Sequence, residues 1–402
     1  MTLILILYII ALGDTMKKTI KEYEYSGKKV ILRCDLNVPI VNGKITDDTR
    51  IKESLTSINY LIEHNAKVII LSHLGKVKTE EDKLKNTLYP VYQRLKELLN
   101  TNVYFSSQTT GKELEEKVMK LKNKEVLLIE NTRYEDIDGK KESSCSETLS
   151  KYWASLGDLY INDAYGTSHR AHASNVGIAK ELPTAVGFLI EKEITKLDEI
   201  MYENTNPFIV VMGGKKISDK TLVIENLIEK CDKILVGGGM CFTFLKSQGI
   251  NIGNSIVDDE NIEFCQKILN KYKDKILLPI DIVTENQEIK DINNLDNSDI
   301  GYDIGPKTIE LFTSTLKNAK RVVINGPMGV FENAAYSKGT NAIYKCLKEN
   351  RIKTLVGGGD SAASVNLLGY QDAFFHISTG GGATLDYFAG KKLPAIEIIQ
   401  DK

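Results

Sequence analysis

Several features that mark other protein classes are missing from this chain of 402 residues. Its six cysteines are scattered without Cys-x-x-Cys or metal-ligand spacing, which is typical of reduced thiols rather than a disulfide framework. No run of Lys and Arg is long enough for a nucleic-acid footprint, and the formal net charge is only −2. Solenoid repeats, heptads and low-complexity linkers are also lacking. These absences favour a cytoplasmic globular protein with neither a nucleic-acid nor a membrane partner.

One apolar stretch stands out, at residues 3–12. It is too short to span a bilayer. No Lys or Arg precedes it, and no convincing small-residue cleavage site follows it. Because Met16-Lys-Lys-Thr-Ile looks like an ordinary enzyme start, we interpret residues 1–16 as a dispensable extension or an upstream start codon. A membrane or export signal is the alternative.

Two common nucleotide-binding motifs are missing as well. The chain has no Gly-x-x-x-x-Gly-Lys-Ser/Thr, which excludes a P-loop, and no Gly-x-Gly-x-x-Gly, which would support a dinucleotide fold. Instead, five apolar runs stop at glycine clusters, and such runs predict strands buried on both faces of a parallel sheet. They are Phe208-Ile-Val-Val-Met-Gly-Gly, Ile234-Leu-Val-Gly-Gly-Gly, Val322-Val-Ile-Asn-Gly-Pro, Thr354-Leu-Val-Gly-Gly-Gly and His376-Ile-Ser-Thr-Gly-Gly-Gly.

Glycine clusters at the carboxyl ends of strands favour phosphate binding. Glycine lets the backbone approach a ligand and turn into a helix without a Cβ clash. The helix that follows offers unpaired N–H groups and a positive dipole end. Five such loops at one sheet edge predict a large anion, and a nucleotide is the economical candidate.

The first half of the chain also alternates strands with helical patterns, but its strands run into polar and basic residues. This alternation predicts βαβ units and two parallel sheets. Apolar positions at helical spacing over residues 188–201 predict a rigid connecting helix, which suits closure of two lobes. We therefore predict an α/β fold of two doubly wound, Rossmann-like parallel-sheet lobes joined by a hinge helix, with a cleft between them.

Arginine is scarce in this lysine-rich chain, so its positions are informative. Arg50 is expected in a loop, Arg133 follows a strand end, and Arg170 lies in a loop with His169 and His172. The planar guanidinium grips carboxylate or phosphate through two hydrogen bonds, which lysine cannot copy. Three such arginines beside histidines predict an anionic small-molecule site rather than surface ion pairs. Arg33, inside its strand, is interpreted as half of a structural ion pair.

A zinc site is the competing interpretation of the segment His169-Arg-Ala-His. Two histidines three residues apart can share a helix face, but no third ligand with sensible spacing follows.

The glycine-rich half also carries charged residues suited to nucleotide phosphates. Lys216 and Lys220 are expected one turn apart on one helix face, where they can neutralise adjacent phosphates; a solvated lysine helix is the alternative. Asp360 occupies a position that suits either an N-cap or a Mg²⁺ ligand on ATP, and we favour magnesium. The Gly380-Gly-Gly turn is expected to open a helix at Ala383 and to present N–H groups to a moving phosphoryl group.

Taken together, these segments closely resemble phosphoglycerate kinase over residues 17–402. The matching motifs in the first half are Arg33-Cys-Asp-Leu-Asn-Val-Pro, Ile45-Thr-Asp-Asp-Thr-Arg-Ile, Ser72-His-Leu-Gly-Lys, Glu130-Asn-Thr-Arg-Tyr and Asp163-Ala-Tyr-Gly-Thr-Ser-His-Arg. In the second half they are Gly213-Gly-Lys-Lys-Ile-Ser-Asp-Lys, Gly237-Gly-Gly-Met, Asn325-Gly-Pro-Met-Gly-Val-Phe-Glu, Gly357-Gly-Gly-Asp-Ser and Ser378-Thr-Gly-Gly-Gly-Ala.

The resemblance implies that residues 17–187 form a lobe that binds 3-phosphoglycerate or 1,3-bisphosphoglycerate. Lys76 stands where the family usually has arginine, so a bidentate contact becomes a point charge. The implied substrate-binding residues are Asp35, Leu36, Asn37, Arg50, His73, Leu74, Gly75, Lys76, Arg133 and Arg170.

It further implies a hinge helix at 188–201, a lobe at 202–390 that binds ATP or ADP with Mg²⁺, a tail at 391–402 that returns to the first lobe, and a monomer. Asp360 would hold the metal through the nucleotide phosphates. The implied nucleotide-binding residues are Gly213, Lys216, Gly238, Gly301, Asn325, Glu332, Gly358, Gly359, Asp360 and Ser361. The implied catalytic residues are Arg50, Lys216, Lys220, Gly380, Gly381 and Gly382.

The expected reaction is 3-phosphoglycerate + ATP = 1,3-bisphosphoglycerate + ADP. A carboxylate acceptor is already ionised at neutral pH, which agrees with the lack of an obvious Ser-His-Asp or Cys-His arrangement. Two alternatives stay open: another kinase that forms an acyl phosphate, and a non-catalytic nucleotide-binding protein of the same fold.

Overall fold

The computed structural model describes residues 16–402, so the apolar stretch at residues 3–12 and its interpretation lie outside the described residues. The described chain divides into two compact units. The first comprises residues 16–195 together with Lys392–Lys402, and the second is Lys196–Lys391. Among residues 16–402, no helix is both long enough and apolar enough to cross a membrane.

The first unit is built on a wholly parallel sheet of six strands. The eight strands of this unit are β1 (Lys29–Cys34), β2 (Ile40–Val41), β3 (Lys44–Ile45), β4 (Lys67–Leu71), β5 (Val103–Ser106), β6 (Val126–Ile129), β7 (Leu159–Asp163) and β8 (Thr184–Val186). β2 and β3 form a small antiparallel hairpin, and the other six are ordered β5-β6-β4-β1-β7-β8. Alternate residues of β1 enter different cores, Val30 and Leu32 on one face and Ile31 on the other, so both faces are covered.

Helices between the strands cover this sheet. They are α1 (Thr49–Glu63), α2 (Glu80–Lys85), α3 (Tyr89–Leu98), α4 (Lys112–Lys120) and α5 (Glu147–Ala154), followed by α6 (Phe188–Tyr202). Local sequence sets the starts of two of them: Thr79 and Asp82 form a capping box before α2, and Pro90 lies in the first turn of α3. The last of these helices, α6, confirms the helix predicted at 188–201 and ends one residue later, at Tyr202.

The second unit contains a second six-stranded parallel sheet. The nine strands of this unit are β9 (Phe208–Met212), β10 (Lys233–Val236), β11 (Ile276–Leu277), β12 (Asp281–Thr284), β13 (Ile289–Asp291), β14 (Gly301–Ile304), β15 (Arg321–Asn325), β16 (Lys353–Val356) and β17 (His376–Ile377). The parallel sheet has the order β11-β10-β9-β15-β16-β17, so the prediction of five glycine-terminated strands at one edge is confirmed. β11 and the antiparallel sheet β13-β12-β14 were not predicted, because they are short and partly polar.

The helices of the second unit follow the same alternation. They are α7 (Thr221–Ile228), α8 (Met240–Ser247), α9 (Ile262–Tyr272), α10 (Pro306–Leu316), α11 (Lys338–Glu349), α12 (Gly359–Leu368) and α13 (Gly382–Phe388). Two parallel sheets of six strands with intervening helices confirm the α/β fold of two Rossmann-like lobes.

The last residues of the chain pack within the first unit. They contain the short helix α14 (Pro394–Glu397). The N–H of Ala395 donates to the carbonyl of Ser168 across 3.1 Å, and Nδ2 of Asn162 donates to the carbonyl of Ala395 across 2.9 Å. Lys17 pairs with Asp401 at 2.9 Å. This segment therefore supports the loop that carries Arg170.

Candidate functional site

The first half of the candidate site begins where β1 ends. Asp35 follows that strand, and Nη1 of Arg50 donates to its Oδ2. Burial would raise the pKa of Asp35, but the charge of Arg50, aided by Arg33 and by the hydrogen bond from the N–H of Asn37, holds it below its usual value. Asp35 is therefore a carboxylate that orients Arg50.

The expectation that Arg50 lies in a loop is wrong. Arg50 is the second residue of α1, whose N-cap position is Asp48. The polar run Thr46-Asp-Asp-Thr was interpreted as a loop, but its last residue already begins the helix. The helical backbone fixes the base of the Arg50 side chain more firmly than a loop would.

His73 follows β4 and lies beside the same carboxylate. Its Nδ1 is 4.0 Å from Oδ1 of Asp35 and 3.4 Å from Nη2 of Arg33. Burial lowers the pKa of His73 to about 3, and the nearby arginines add to that effect. The structure thus brings Asp35, Arg50 and His73 together, with the imidazole neutral.

Arg33 does not form the structural ion pair that was predicted for it. Within residues 16–402 it makes no ion pair, although it is fully buried in β1. It donates from Nε to Oγ of Ser174 across 2.9 Å and from Nη1 to the carbonyl of Cys34. Its strand position did not reveal these partners, because Ser174 is distant in sequence.

Side-chain amides tie the loops after β1, β4 and β6 to one another. Oδ1 of Asn37 accepts from the N–H of Gly75 at 2.9 Å. Oδ1 of Asn131 accepts from the N–H of Leu74 at 3.1 Å and from the N–H of Arg133 at 3.0 Å. These contacts hold three predicted segments at one edge of the sheet.

Leu36 and Leu74 contribute their side chains to the core of the first unit. Both are buried and belong to the same apolar cluster. The N–H of Leu36 also donates to Oγ of Ser72 at 2.9 Å, which joins the ends of β1 and β4. The two predicted substrate-binding segments are thus anchored to the core at these leucines.

Arg133 and Arg170 complete a concentration of positive charge. Nη1 of Arg133 donates to Oδ2 of Asp136 at 2.6 Å, while its buried Nε has no hydrogen-bond partner within the described chain. Arg170 is exposed and donates to Nε2 of His169 at 3.0 Å. Burial lowers the pKa of His172 to about 3, and Arg133, Arg33 and Arg170 contribute to the shift. The three guanidinium groups therefore all disfavour protonation of the His172 imidazole.

Lys76 is exposed and forms no ion pair with any described residue. Asp136 and Asn131 were missed as supporting residues. The spacing of three residues between Arg133 and Asp136 could have suggested their ion pair. Asn131 caps the 3-10 turn that follows it by accepting from the N–H of Arg133, but its other partners, Leu74 and Asn86, are distant in sequence and could not be predicted.

In the second unit, the glycine loops after β9, β10 and β15 pack backbone against backbone. A Cβ on Gly213 would lie 2.1 Å from the carbonyl oxygen of Pro327. A Cβ on Gly238, whose φ is +61°, would lie 2.6 Å from the nitrogen of Gly214. Glycine is needed here because the loops leave no room for a side chain.

Two other glycines border open space. A Cβ on Gly359, the first residue of α12, or on Gly381, just before α13, would meet nothing within 4 Å. Gly358, with φ at +97°, is the N-cap of α12. Asp360 is therefore not the N-cap but an exposed residue of the first turn. The helix expected at Ala383 begins one residue earlier, at Gly382, after the buried Gly380.

Lys216 and Lys220 do not share a helix face, so that prediction is wrong. Lys220 ends the 3-10 turn Ser218–Lys220, and Lys216 precedes the turn in a non-helical segment. Oδ2 of Asp258 accepts from the N–H of Ser218 at 3.1 Å and so holds the turn from another loop. Burial lowers the pKa of Lys220, while Asp219 and Asp360 oppose that shift. Lys220 is partly buried and Lys216 is exposed.

Asn325 and Ser361 connect the end of β15 to the start of α12. Nδ2 of Asn325 donates to the carbonyl of Gly357 at 3.1 Å, and Oγ of Ser361 accepts from the N–H of Gly326 at 2.6 Å. Oδ1 of Asn325 is buried and has no partner among the described residues.

Gly301 and Glu332 lie outside the parallel sheet. Gly301 begins β14, and a Cβ there would lie 2.1 Å from the ring of Phe242 in α8. Because α8 follows the Gly238 loop, this contact brings two predicted positions into one region. Glu332 is exposed after β15.

Comparisons with known proteins agree with one another. A family model described as phosphoglycerate kinase matches residues 20–391. The phosphoglycerate kinase of Fusobacterium nucleatum is 50% identical over 398 residues, covering 96% of this chain and 100% of the relative. That of Enterococcus faecalis is 50% identical over 395 residues, with the same coverage. The solved structure of phosphoglycerate kinase from Coxiella burnetii has a TM-score of 0.85 at 33% identity, covering 95% of this chain and 98% of that one.

Proposed function

Because the chain belongs to the phosphoglycerate kinase family and is a kinase, we propose that it transfers a phosphoryl group reversibly between ATP and the carboxylate of 3-phosphoglycerate. The products are 1,3-bisphosphoglycerate and ADP. The observation that carries the proposal is the gathering of Arg50, Arg133 and Arg170, each hydrogen-bonded to a neighbouring side chain, in loops and a helix start at the carboxyl edge of the first sheet. A smaller acceptor, such as acetate or carbamate, carries no distal phosphate that would need these cations.

The acid is proposed to bind in the first unit. Arg50, Arg133 and Arg170 supply planar donors for its phosphate and carboxylate, and Lys76 adds a point charge. Asp35 orients Arg50, and Asn37 holds the loop that contains Gly75. His73 contributes a neutral ring. Leu36 and Leu74 keep these loops seated on the core.

The nucleotide is proposed to bind in the second unit, with its phosphates near Lys216, Lys220 and the open glycines. Gly213 and Gly238 shape the loops, and Gly301 borders the base. Glu332 is exposed and is assigned to the ribose. Asn325 and Ser361 hold the start of α12, whose free N–H groups favour an anion.

Asp360 fits the role of a magnesium ligand. Its carboxylate is exposed and makes no hydrogen bond or ion pair with other described residues. Magnesium takes one or two carboxylates together with phosphate oxygens, and when bound it neutralises phosphate charge. Gly359 beside it leaves room for the phosphates.

Transfer needs no general base, because the acceptor carboxylate, with a pKa near ~4, is already ionised. Its oxygen attacks the γ-phosphorus as the bond to the ADP oxygen breaks. The main obstacle is repulsion between two anions. Arg50 from one unit, with Lys216, Lys220 and the amides of 380–382 from the other, stabilise the transferring group.

Direct transfer requires the two ligands to meet, so we propose that the units close on each other when both are bound, with α6 as the hinge. Closure excludes water and suppresses ATP hydrolysis. Solution scattering should show compaction only with both ligands. Full compaction with ATP alone would count against two-sided closure.

We also propose a cytoplasmic monomer. All six cysteines are free, as expected in a reducing compartment. Light scattering at working concentrations would reveal any stable dimer.

A coupled assay with 3-phosphoglycerate, ATP and Mg²⁺ tests the function directly, with acetate and carbamate as control acceptors. ATP-dependent turnover is expected with 3-phosphoglycerate and with neither control acid. Turnover with a control acid and none with 3-phosphoglycerate would favour the other acyl-phosphate kinase, and nucleotide binding without any turnover would favour the non-catalytic alternative.

A further inference from the structure

The guanidinium of Arg33 faces the imidazole of His73 in the interior of the first unit. Arg33 is fully buried, and its Nη2 lies 3.4 Å from Nδ1 of His73. A guanidinium has five N–H donors and no acceptor. Nδ1 must therefore present its lone pair to Arg33, and the proton of the neutral ring then lies on Nε2.

Arg33 cannot easily turn away from His73, because its other nitrogens are engaged. Nε donates to Oγ of Ser174 at 2.9 Å, and Nη1 donates to the carbonyl of Cys34. Ser174 in turn donates from its N–H to Oε2 of Glu142 at 2.9 Å and from its hydroxyl to Oε1. Glu142 is fully buried and holds Ser174 in place; burial raises the pKa of Glu142, and the charge of Arg33 opposes that rise.

The charged neighbours of His73 have opposite effects on protonation of its Nδ1. Asp35, with Oδ1 4.0 Å from Nδ1, favours a proton on that nitrogen, while the cations Arg33, Arg133 and Arg50 oppose one. Removal of Arg33 would leave Oδ1 of Asp35, at 4.0 Å, to act on Nδ1 without the guanidinium. The contact with Arg33 therefore decides which nitrogen is protonated.

We propose that Arg33, anchored by Ser174 and Glu142, is a positioning residue that fixes His73 as its neutral Nε2–H tautomer, so that the ring offers a hydrogen-bond donor to the phosphorylated acid. Nε2 makes no hydrogen bond within residues 16–402, and the side chain keeps 13% exposure. The role of the donor toward the acid rests on the proposed function. The tautomer itself does not.

Nuclear magnetic resonance on the unmodified protein tests the tautomer. The full chain is labelled with ¹⁵N-histidine, and the ring signals of His73 are assigned from their loss in His73→Asn. Nδ1 is expected to be unprotonated and Nε2 protonated throughout pH 8 to 5. A proton on Nδ1, or an imidazolium near neutral pH, would overturn the proposal without any variant of Arg33.

Variants then test the cause. In Arg33→Met the His73 pKa should rise by at least about one unit, with protonation of Nδ1 toward Asp35. Ser174→Ala, which leaves the guanidinium but removes its anchor, should give a smaller shift in the same direction. Ser150→Ala is the matched control, because this buried serine bonds the carbonyl of Ser146 outside the network. Folded Arg33→Met or Ser174→Ala proteins with unchanged His73 signals would refute the role of Arg33.

Addition of 3-phosphoglycerate distinguishes the tautomer assignment of His73 from the proposed acid-binding site. The Nε2 signal should move on binding. If the tautomer is as expected but the signal of His73 does not respond to the bound acid, the site assignment fails while the tautomer assignment stands.

Discussion

Arg133 donates to Asp136 across 2.6 Å, and the two side chains keep only 10% and 8% of their exposure. Oδ1 of Asp136 also accepts from the N–H and the hydroxyl of Ser143. The pair therefore holds a proposed substrate arginine against the turn that follows it.

Asp136→Asn should lower the free energy of unfolding by about 3 kcal/mol, because it leaves a buried guanidinium without its opposite charge. Urea unfolding measures this. Asp138→Asn is the control, since Asp138 is exposed in the same turn and makes no ion pair with described residues. Equal stability of the two variants would mean that the Arg133–Asp136 pair is energetically unimportant.

Arg50→Lys should lower kcat more than it raises the KM for ATP, because a lysine cannot supply the two directed donors of a guanidinium. A loss of on the order of tenfold or more is expected, as for other electrostatic contributions to transfer. Steady-state assays check it. Arg94→Lys is a suitable control, since Arg94 pairs with Asp48 through Nε and Nη2 outside the proposed site. Normal turnover of Arg50→Lys would remove this residue from the mechanism.

Lys216→Ala should cut turnover by about two or more orders of magnitude while leaving the binding of 3-phosphoglycerate nearly intact. Calorimetry with the acid and steady-state assays separate the two effects. Lys215→Ala removes an adjacent exposed lysine and serves as the control. Loss of acid binding in Lys216→Ala would contradict the assignment of the two ligands to separate units.

Stability should fall as the pH is lowered from about 6.5 toward 3. The pKa of His172, about 3 in the folded protein, is depressed by burial from an unfolded value near 6.5, so the unfolded chain takes up the proton first. One such group changes the unfolding free energy by up to about 1.4 kcal/mol per pH unit in this window. His172→Asn should flatten the dependence measured by urea unfolding at pH 7 and pH 5. His64→Asn, at an exposed helix end, is the control, and an unchanged slope in His172→Asn would contradict the assignment.

Two glycine substitutions should separate packing from ligand binding. Gly326→Ala should destabilise the protein by at least about 2 kcal/mol, since φ is +102° and a Cβ would lie 2.2 Å from the carbonyl oxygen of Gly213. Gly359→Ala should change stability by no more than about 0.5 kcal/mol, since its Cβ would meet nothing within 4 Å. It should instead raise the KM for ATP. A KM for ATP unchanged in Gly359→Ala would place the phosphates elsewhere.

Apolar strand patterns and glycine clusters made much of the fold predictable from the sequence. β9 and β15 were predictable because a fully apolar, β-branched run must be buried on both faces, whatever its neighbours. The antiparallel strands β12 to β14 were not, since their short and partly polar sequences carry no such pattern.

The sequence by itself determined which residues we propose to carry chemistry: arginines at the ends of one set of strands, and glycines with lysines at the ends of another. Only the tertiary structure decided their partners. It placed Arg33 against His73 instead of a carboxylate, put Arg50 in a helix, and kept Lys216 out of one. The reason is that propensity and spacing act over a few residues, whereas ion pairs and loop packing join residues from distant strands, whose proximity is set by the order of the sheet.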